Sequence, residues 1–239
     1  AAEFGVRHVP GIDYGDSNSP RLDSMHREVE REAQNPLLCI VNADIILMND
    51  FIQAVERVSQ RSRKFLMMGQ RHNLDVSRPM GFGPNWIAEL RSQVEETGSL
   101  GARTGEDYIV FPKDFFGEIP PLDVGHSYTD GWLLYEGRRR KLDLIDTTAV
   151  VMAVHQNHNY NHIQRSTQGF VNDPQTIRNE LLSGGPSHML IVKDRTHILT
   201  VKGEKPARDA WRVFRFVRTA ILLHPTMPKP LRIFFKGLN

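Results

Sequence analysis

The chain has 239 residues, and its 40% apolar and 24% charged content is typical of a globular protein of one large or two small domains, which excludes a largely disordered chain. Its net charge of +2 is too small for nucleic acid to be the main partner. A single cysteine, Cys39, excludes an intrachain disulfide framework and predicts a reducing, cytoplasmic setting, and we find neither a signal peptide nor the roughly 20 successive apolar residues that a membrane span needs.

In chain order, the first 162 residues alternate between helical and strand-like patterns. Residues 1–6 look like a helix end that turns into a strand, so we expect the chain to begin inside a fold whose first strand is missing. The predicted elements are then a strand at 6–9, a loop at 11–20, a surface helix at 21–34, a buried strand at 37–41, a helix at 51–61 and a buried strand at 64–69. They are followed by a loop at 70–84, a helix at 86–97, a strand at 107–112, a helix at 131–139 and a β-rich run at 142–154. In the strand at 37–41, Cys39 is expected to pack as a small hydrophobe. Helices that alternate with continuous apolar strands predict an α/β fold, with a mostly parallel sheet flanked by helices on both faces.

The pattern changes after residue 162. It predicts a short helix at 173–182, a hairpin of strands at 189–192 and 197–201, and a basic amphipathic helix at 208–223. We therefore divide the chain into a catalytic domain at 1–162 and a small C-terminal α+β extension at 163–239. Either the last helix contacts an anionic membrane surface, or its apolar face packs on the body and its arginines are solvated. These arginines are Arg208, Arg212, Arg215 and Arg218.

The most informative stretch is an apolar strand that runs into an acid, at 37–47. Asn42 and Asp44 follow the strand one residue apart, so their side chains share a face of an extended segment. Two oxygen ligands at the end of a buried strand suit a hard divalent cation that holds a phosphate. The alternative is that Asp44 caps the helix that follows.

A second candidate site is the cluster of three histidines at 155–162. Spacings of three and four residues allow His155, His158 and His162 to share a helix face and bind zinc. Because the segment between them is a poor helix former, we favour His155 alone as a ligand at a strand end, with the others lining a polar pocket. Surface histidines without a ligand are the remaining alternative.

A third feature is Asp130, which lies just before an apolar helix. It is either the N-cap of that helix or a rigidly placed general base at the edge of a cleft. Trp132 either stacks on a sugar ring or packs in the core. The residues by themselves favour the cap and the core.

Four stretches in order resemble glycosyltransferases with a GT-A nucleotide-sugar fold, similar to family 2. They are 39–47, 107–112, 129–133 and 155–160. The resemblance implies that Asn42 and Asp44 match the acidic Asp-x-Asp motif that binds the metal and the diphosphate, with Asn replacing the first Asp. It implies further that Asp130 matches the catalytic base, that His155 completes the metal shell, and that Arg71 contacts a phosphate.

The implied activity is the metal-dependent transfer of a sugar, hexosyltransferase-type, from a nucleoside-diphosphate donor to a hydroxyl of a glycan, lipid or small molecule. The implied cofactor is Mn²⁺ or Mg²⁺ on Asp44 and His155. Asp130 as base implies inversion at the anomeric carbon, and Asp130 as a hydrogen-bond acceptor of the donor sugar implies retention. Trp132, His158 and Tyr160 are the expected pocket or acceptor residues.

Two other function classes stay open on the sequence. One is a zinc-dependent hydrolase built on His155, His158 and His162. The other is a non-catalytic module that binds a nucleotide sugar. A homo-oligomer also stays open, since nothing in the sequence decides the number of subunits.

Overall fold

The computed structural model describes residues 3, 5–16, 18–61, 64–76, 79–104, 106–157 and 173–208, together with 213, 214, 217, 228 and 230. The helices are α1 (Leu22–Glu32), α2 (Asn49–Arg61), α3 (Trp86–Thr97), α4 (Thr129–Arg139) and α5 (Pro174–Leu182). The strands are β1 (Leu37–Val41), β2 (Ile45–Ile46), β3 (Phe65–Met68), β4 (Arg71–Leu74), β5 (Ser99–Leu100), β6 (Tyr108–Pro112), β7 (Asp143–Asp146), β8 (Ala153–Gln156), β9 (His197–Thr200) and β10 (Gly203–Pro206).

The larger sheet has six strands in the order β1-β6-β3-β7-β9-β10. Strand β3 runs parallel to β7, and β7 to β9, but β6 is antiparallel to both of its neighbours. The α/β class is therefore confirmed, whereas the prediction of a mostly parallel sheet is wrong. Apolar content does not reveal this, because a strand covered on both faces is apolar whichever way it runs.

Strand β3 supplies both hydrophobic cores of this sheet, and all four of its residues are buried, as predicted. Leu66 and Met68 pack in the cluster that includes the side chains of α4. Phe65 and Met67 pack in the cluster that includes the side chains of α2. Successive side chains of a strand point to opposite faces, so this one strand holds a helical layer on each side of the sheet.

The smaller sheet has four strands in the order β2-β8-β4-β5. Its strand β4 lies inside the range 70–84, where the polar sequence predicted only a loop. The β-rich run at 142–154 is also two strands in different sheets, because β7 pairs with β3 and β8 pairs with β2 and β4. The chain turns between them, where the Val150 and Val151 amides donate to the Thr147 carbonyl at 2.9 Å.

The hairpin near the C-terminal end is displaced from its predicted position. Strand β9 pairs with β10, which follows it, whereas residues 189–191 form no strand and residues 192–194 are a 3-10 turn. Strand β9 also pairs with β7, so this hairpin extends the larger sheet. The predicted boundary at residue 162 lies in the range 158–172, outside the described residues.

The helices predicted at 21–34, 51–61, 86–97, 131–139 and 173–182 are confirmed to within a few residues, and α4 begins two residues earlier than expected. The predicted strand at 6–9 is absent from the described structure of that segment. Strand β1 is an edge strand rather than a buried one, since only Leu38 is buried in it. Cys39 is accordingly exposed, and the prediction that it packs as a core residue is wrong.

Candidate functional site

The two predicted metal ligands, Asp44 and His155, lie side by side. The short strand β2 pairs with β8 so that Ile45 faces His155, which brings the preceding carboxylate to the imidazole. Asp44 Oδ2 lies 3.1 Å from His155 Nε2, and the histidine is only 1% exposed. Helix α2 begins at Asn49, so Asp44 is not its cap.

This spacing is that of an ion pair or a hydrogen bond, and it also suits two ligands of one divalent cation. Two ligand atoms at right angles on a cation with bonds of about 2.1 Å are about 3.0 Å apart, close to the distance observed between Asp44 and His155. Among the described residues, no group of three or more His, Cys, Asp or Glu side chains could hold a metal ion. Mg²⁺-type sites commonly use one or two protein carboxylates and fill the remaining positions with phosphate and water, so two protein ligands are sufficient.

A second carboxylate, Asp107, joins the loop after β1 to strand β4. Its Oδ1 accepts hydrogen bonds from Asn42 Nδ2 at 3.0 Å and from Arg71 Nη1 at 2.7 Å. The backbone amide of Asn42 also donates to the backbone carbonyl of Asp107 at 2.9 Å. Asp107 Oδ2 is buried and accepts no hydrogen bond from the described part of the chain. A buried carboxylate oxygen that accepts no hydrogen bond from the protein favours the binding of a cation or of a ligand that donates a hydrogen bond.

Asp130, the predicted base, lies in the first turn of α4 among other acids. Burial, together with the nearby Asp107 carboxylate, raises its pKa to about 7. Burial and the charge of Asp130 also raise the pKa of Glu106 well above its ordinary range. Because a general base works best when its pKa is near the working pH, Asp130 is suited to proton abstraction at neutral pH. The residue before α4 is Tyr128, so Asp130 is not the N-cap.

The segment at 189–194 fixes the start of α4. The Leu190 amide donates to the Gly131 carbonyl at 3.0 Å, and the Val192 amide donates to Glu106 Oε1 at 2.8 Å. A Cβ added to Gly131 would lie 2.9 Å from the backbone carbonyl oxygen of Leu190, so the close approach requires glycine. Residues from the predicted C-terminal extension therefore hold the acidic site in place.

Glu106 and Asp107 are site residues that our sequence reasoning did not single out. Two acids directly before the apolar strand β6 were a usable signal, since the same logic identified Asp44 at the end of β1. Both side chains are buried, at 3% and 4% exposure, and buried acids are rare without a partner or a function.

The predicted pocket residues have a different outcome. Trp132 is 6% exposed and packs in the core beside Phe116, with a distance of 6.4 Å between the ring centroids, which is the core alternative that the residues by themselves favoured over stacking on a sugar. His158, Tyr160 and His162 lie outside the described residues. Arg71, the predicted phosphate partner, donates to Asp107, and its Nε donates to Asn73.

The basic helix predicted at 208–223 lies mostly outside the described residues. Within the described ranges, no helix combines the length and the apolar content that crossing a bilayer requires. Comparison with protein-family models, with curated proteins and with solved structures finds no match to this chain.

Proposed function

We propose that this protein is a metal-dependent glycosyltransferase with a GT-A-like fold, which moves a sugar from a nucleoside diphosphate to a hydroxyl acceptor. The observation that carries the proposal is the pairing of Asp44 Oδ2 with His155 Nε2 at 3.1 Å, from two motifs far apart in the chain. A second support is Asp130, whose pKa burial and the nearby Asp107 carboxylate raise to about 7, which suits a general base.

Asp44 and His155 would hold Mn²⁺ or Mg²⁺. When bound, such a cation neutralises the charge that develops on a departing diphosphate. The Asn42 side chain has a different role, because its Nδ2 donates to Asp107. Asn42 would therefore position Asp107. It occupies the sequence position of the first acid of an Asp-x-Asp motif without taking the role of that acid.

Asp130 would take the proton of the acceptor hydroxyl. The oxygen of that hydroxyl then forms a bond to the anomeric carbon, while the bond between this carbon and the diphosphate oxygen breaks. The electron pair leaves with the nucleoside diphosphate, and the configuration inverts. Arg71 is 23% exposed, and its guanidinium, anchored by Nη1 on Asp107 and by Nε on Asn73, would contact an oxygen of the diphosphate.

Isothermal titration with UDP and GDP, with and without Mn²⁺, tests the proposal. We expect binding of one diphosphate that depends on Mn²⁺, is lost in Asp44→Asn, and is unchanged in Glu95→Gln, a control on the exposed side of α3. Tight zinc binding without any response to nucleotide would contradict the proposal and favour the hydrolase. Binding of nucleotide sugars without any sugar transfer or hydrolysis would contradict the enzymatic part and favour the binding module.

A further inference from the structure

One cavity of the described structure lies between helix α3 and the loop that follows strand β4. Its volume is about 370 Å³, enough for one sugar ring with water around it. Four residues of α3 contribute to its wall at positions i, i+3, i+4 and i+7, which is one face of a helix. They are Trp86, Glu89, Leu90 and Gln93. The opposite wall includes Asp75 and Met80.

The chemistry of this lining combines a flat apolar surface with hydrogen-bonding groups. The Trp86 ring is half-buried, and the exposed Phe82 ring meets it edge to face at 5.4 Å. The Asp75 and Glu89 carboxylates accept hydrogen bonds, and the Gln93 amide both donates and accepts. A pyranose has an apolar ring face and a rim of hydroxyl groups, so it matches this arrangement better than an apolar ligand does.

The cavity is connected to the candidate metal site through strand β8. Asn157 Nδ2 donates to Asp75 Oδ1 at 2.7 Å, and the Asn157 amide donates to the Leu74 carbonyl at 2.9 Å. Asn157 is two residues beyond His155, which is about 7 Å along an extended chain. One wall of the cavity is therefore linked by hydrogen bonds to the strand that carries His155.

The helix that carries the other wall is held rigidly. Arg91 Nη2 pairs with Asp50 Oδ2 at 2.5 Å, and the same oxygen accepts from the Met152 amide at 2.9 Å. Leu90 and Val94 pack in the cluster below α3. The α3 wall of the cavity is thus fixed by contacts with the rest of the fold.

We infer that this cavity is the acceptor subsite and binds a pyranose ring of a carbohydrate acceptor, with Trp86 against the ring face and Asp75 and Glu89 on its hydroxyls. This inference rests on the proposed glycosyltransferase function, since it assigns a place and a chemical class to the acceptor of that reaction. It also identifies Glu89 and Trp86 as residues that determine specificity without taking part in the chemistry.

Titration by ligand-detected NMR with the methyl pyranosides of glucose, galactose, mannose and N-acetylglucosamine tests the inference. We expect at least one of them to bind, and Glu89→Gln and Trp86→Ala to weaken this binding by about tenfold. Glu95→Gln on the same helix, outside the cavity, should bind as the unchanged protein does. Since Glu89 is exposed, its substitution leaves the fold intact even where the loss of Trp86 does not.

The failures of the two proposals are distinguishable in the same samples. If none of the four glycosides binds, or if both cavity variants bind them as the unchanged protein does, the acceptor subsite is wrong whether or not UDP or GDP binds with Mn²⁺. If the cavity variants lose the Mn²⁺-dependent diphosphate binding instead, the cavity belongs to the donor and the inference is overturned. Glycoside binding without any diphosphate binding supports the subsite and contradicts the proposed transferase.

Discussion

Asn42 and Asp107 are joined by two hydrogen bonds. The backbone amide of Asn42 donates to the backbone carbonyl of Asp107 at 2.9 Å, and Asn42 Nδ2 donates to Asp107 Oδ1 at 3.0 Å. The side-chain amide of Asn42 donates to the Asp107 carboxylate, whereas a carboxylate at position 42 would repel the Asp107 carboxylate. The buried Asp107 therefore favours asparagine over aspartate at position 42.

The first prediction concerns that pair. Asn42→Asp should lower the free energy of unfolding by about 1 kcal/mol at neutral pH, because it replaces a partly buried hydrogen bond with two facing carboxylates. Urea denaturation measures the change. The double variant Asn42→Asp/Asp107→Asn reverses the direction of the hydrogen bond and should recover part of the loss. An Asn42→Asp protein as stable as the unchanged one would contradict the assigned contact.

The second prediction concerns the pH dependence of stability near Asp130. Its pKa is about 7 in the folded protein, against the ordinary aspartate value of 3.8 that we take for the unfolded chain. Between these two pH values the folded state therefore binds more protons than the unfolded chain does. Stability should therefore fall as the pH rises from about 4 to 7, and Asp130→Asn should remove this part of the slope. Thermal unfolding across this pH range measures it. Equal slopes in the two proteins would show that Asp130 titrates normally.

The third prediction concerns the close approach at the start of α4. In Gly131→Ala, the new Cβ would lie 2.6 Å from Met189 Cγ and 2.9 Å from the Leu190 carbonyl oxygen. The side chain of Met189 is able to move, but the carbonyl oxygen is backbone, so we expect a loss of about 1–3 kcal/mol in unfolding free energy.

Gly137→Ala is the matched control on the same helix. Its nearest contact is the flexible end of Leu66 at 3.1 Å, and alanine favours the helix over glycine by up to about 1 kcal/mol. The control should therefore be near neutral by urea denaturation. A Gly131→Ala protein as stable as Gly137→Ala would mean that the segment at 189–190 does not pack tightly on α4.

The fourth prediction concerns the start of α5. Asp173 Oδ2 accepts from the Thr176 amide at 2.8 Å and lies 2.8 Å from His126 Nδ1. Burial acts to raise the pKa of Asp173, but these hydrogen bonds outweigh it, so the pKa is lowered overall. Asp173→Ala should cost about 1 kcal/mol of unfolding free energy at pH 7, and this difference should shrink as the pH falls below about 4, where the cap protonates. A difference that does not change with pH would contradict the capping role.

The acidic site divides into residues that could be predicted and residues that could not. Asp44 follows the apolar strand β1, and His155 lies near the end of the apolar strand β8. This local pattern was enough to select both residues. The position of Asp107 and Glu106 before β6 was a usable local signal, but their roles depend on partners from other elements, namely Asn42, Arg71 and the backbone amide of Val192. Trp132 packs in the core, as its own residue type favoured, and only the resemblance placed it in a pocket.

The sequence by itself determined the α/β class, the helices and the apolar strands, because side-chain periodicity and burial are local properties of the chain. Only the tertiary structure decided the direction of β6, the separation of β7 and β8 into two sheets, and the edge position of β1. These depend on which strands meet, and hydrogen bonds between strands form across long stretches of chain that leave no periodic pattern. The contact between Asp44 and His155 is of the same kind, since the pairing of β2 with β8 brings the two side chains within 3.1 Å.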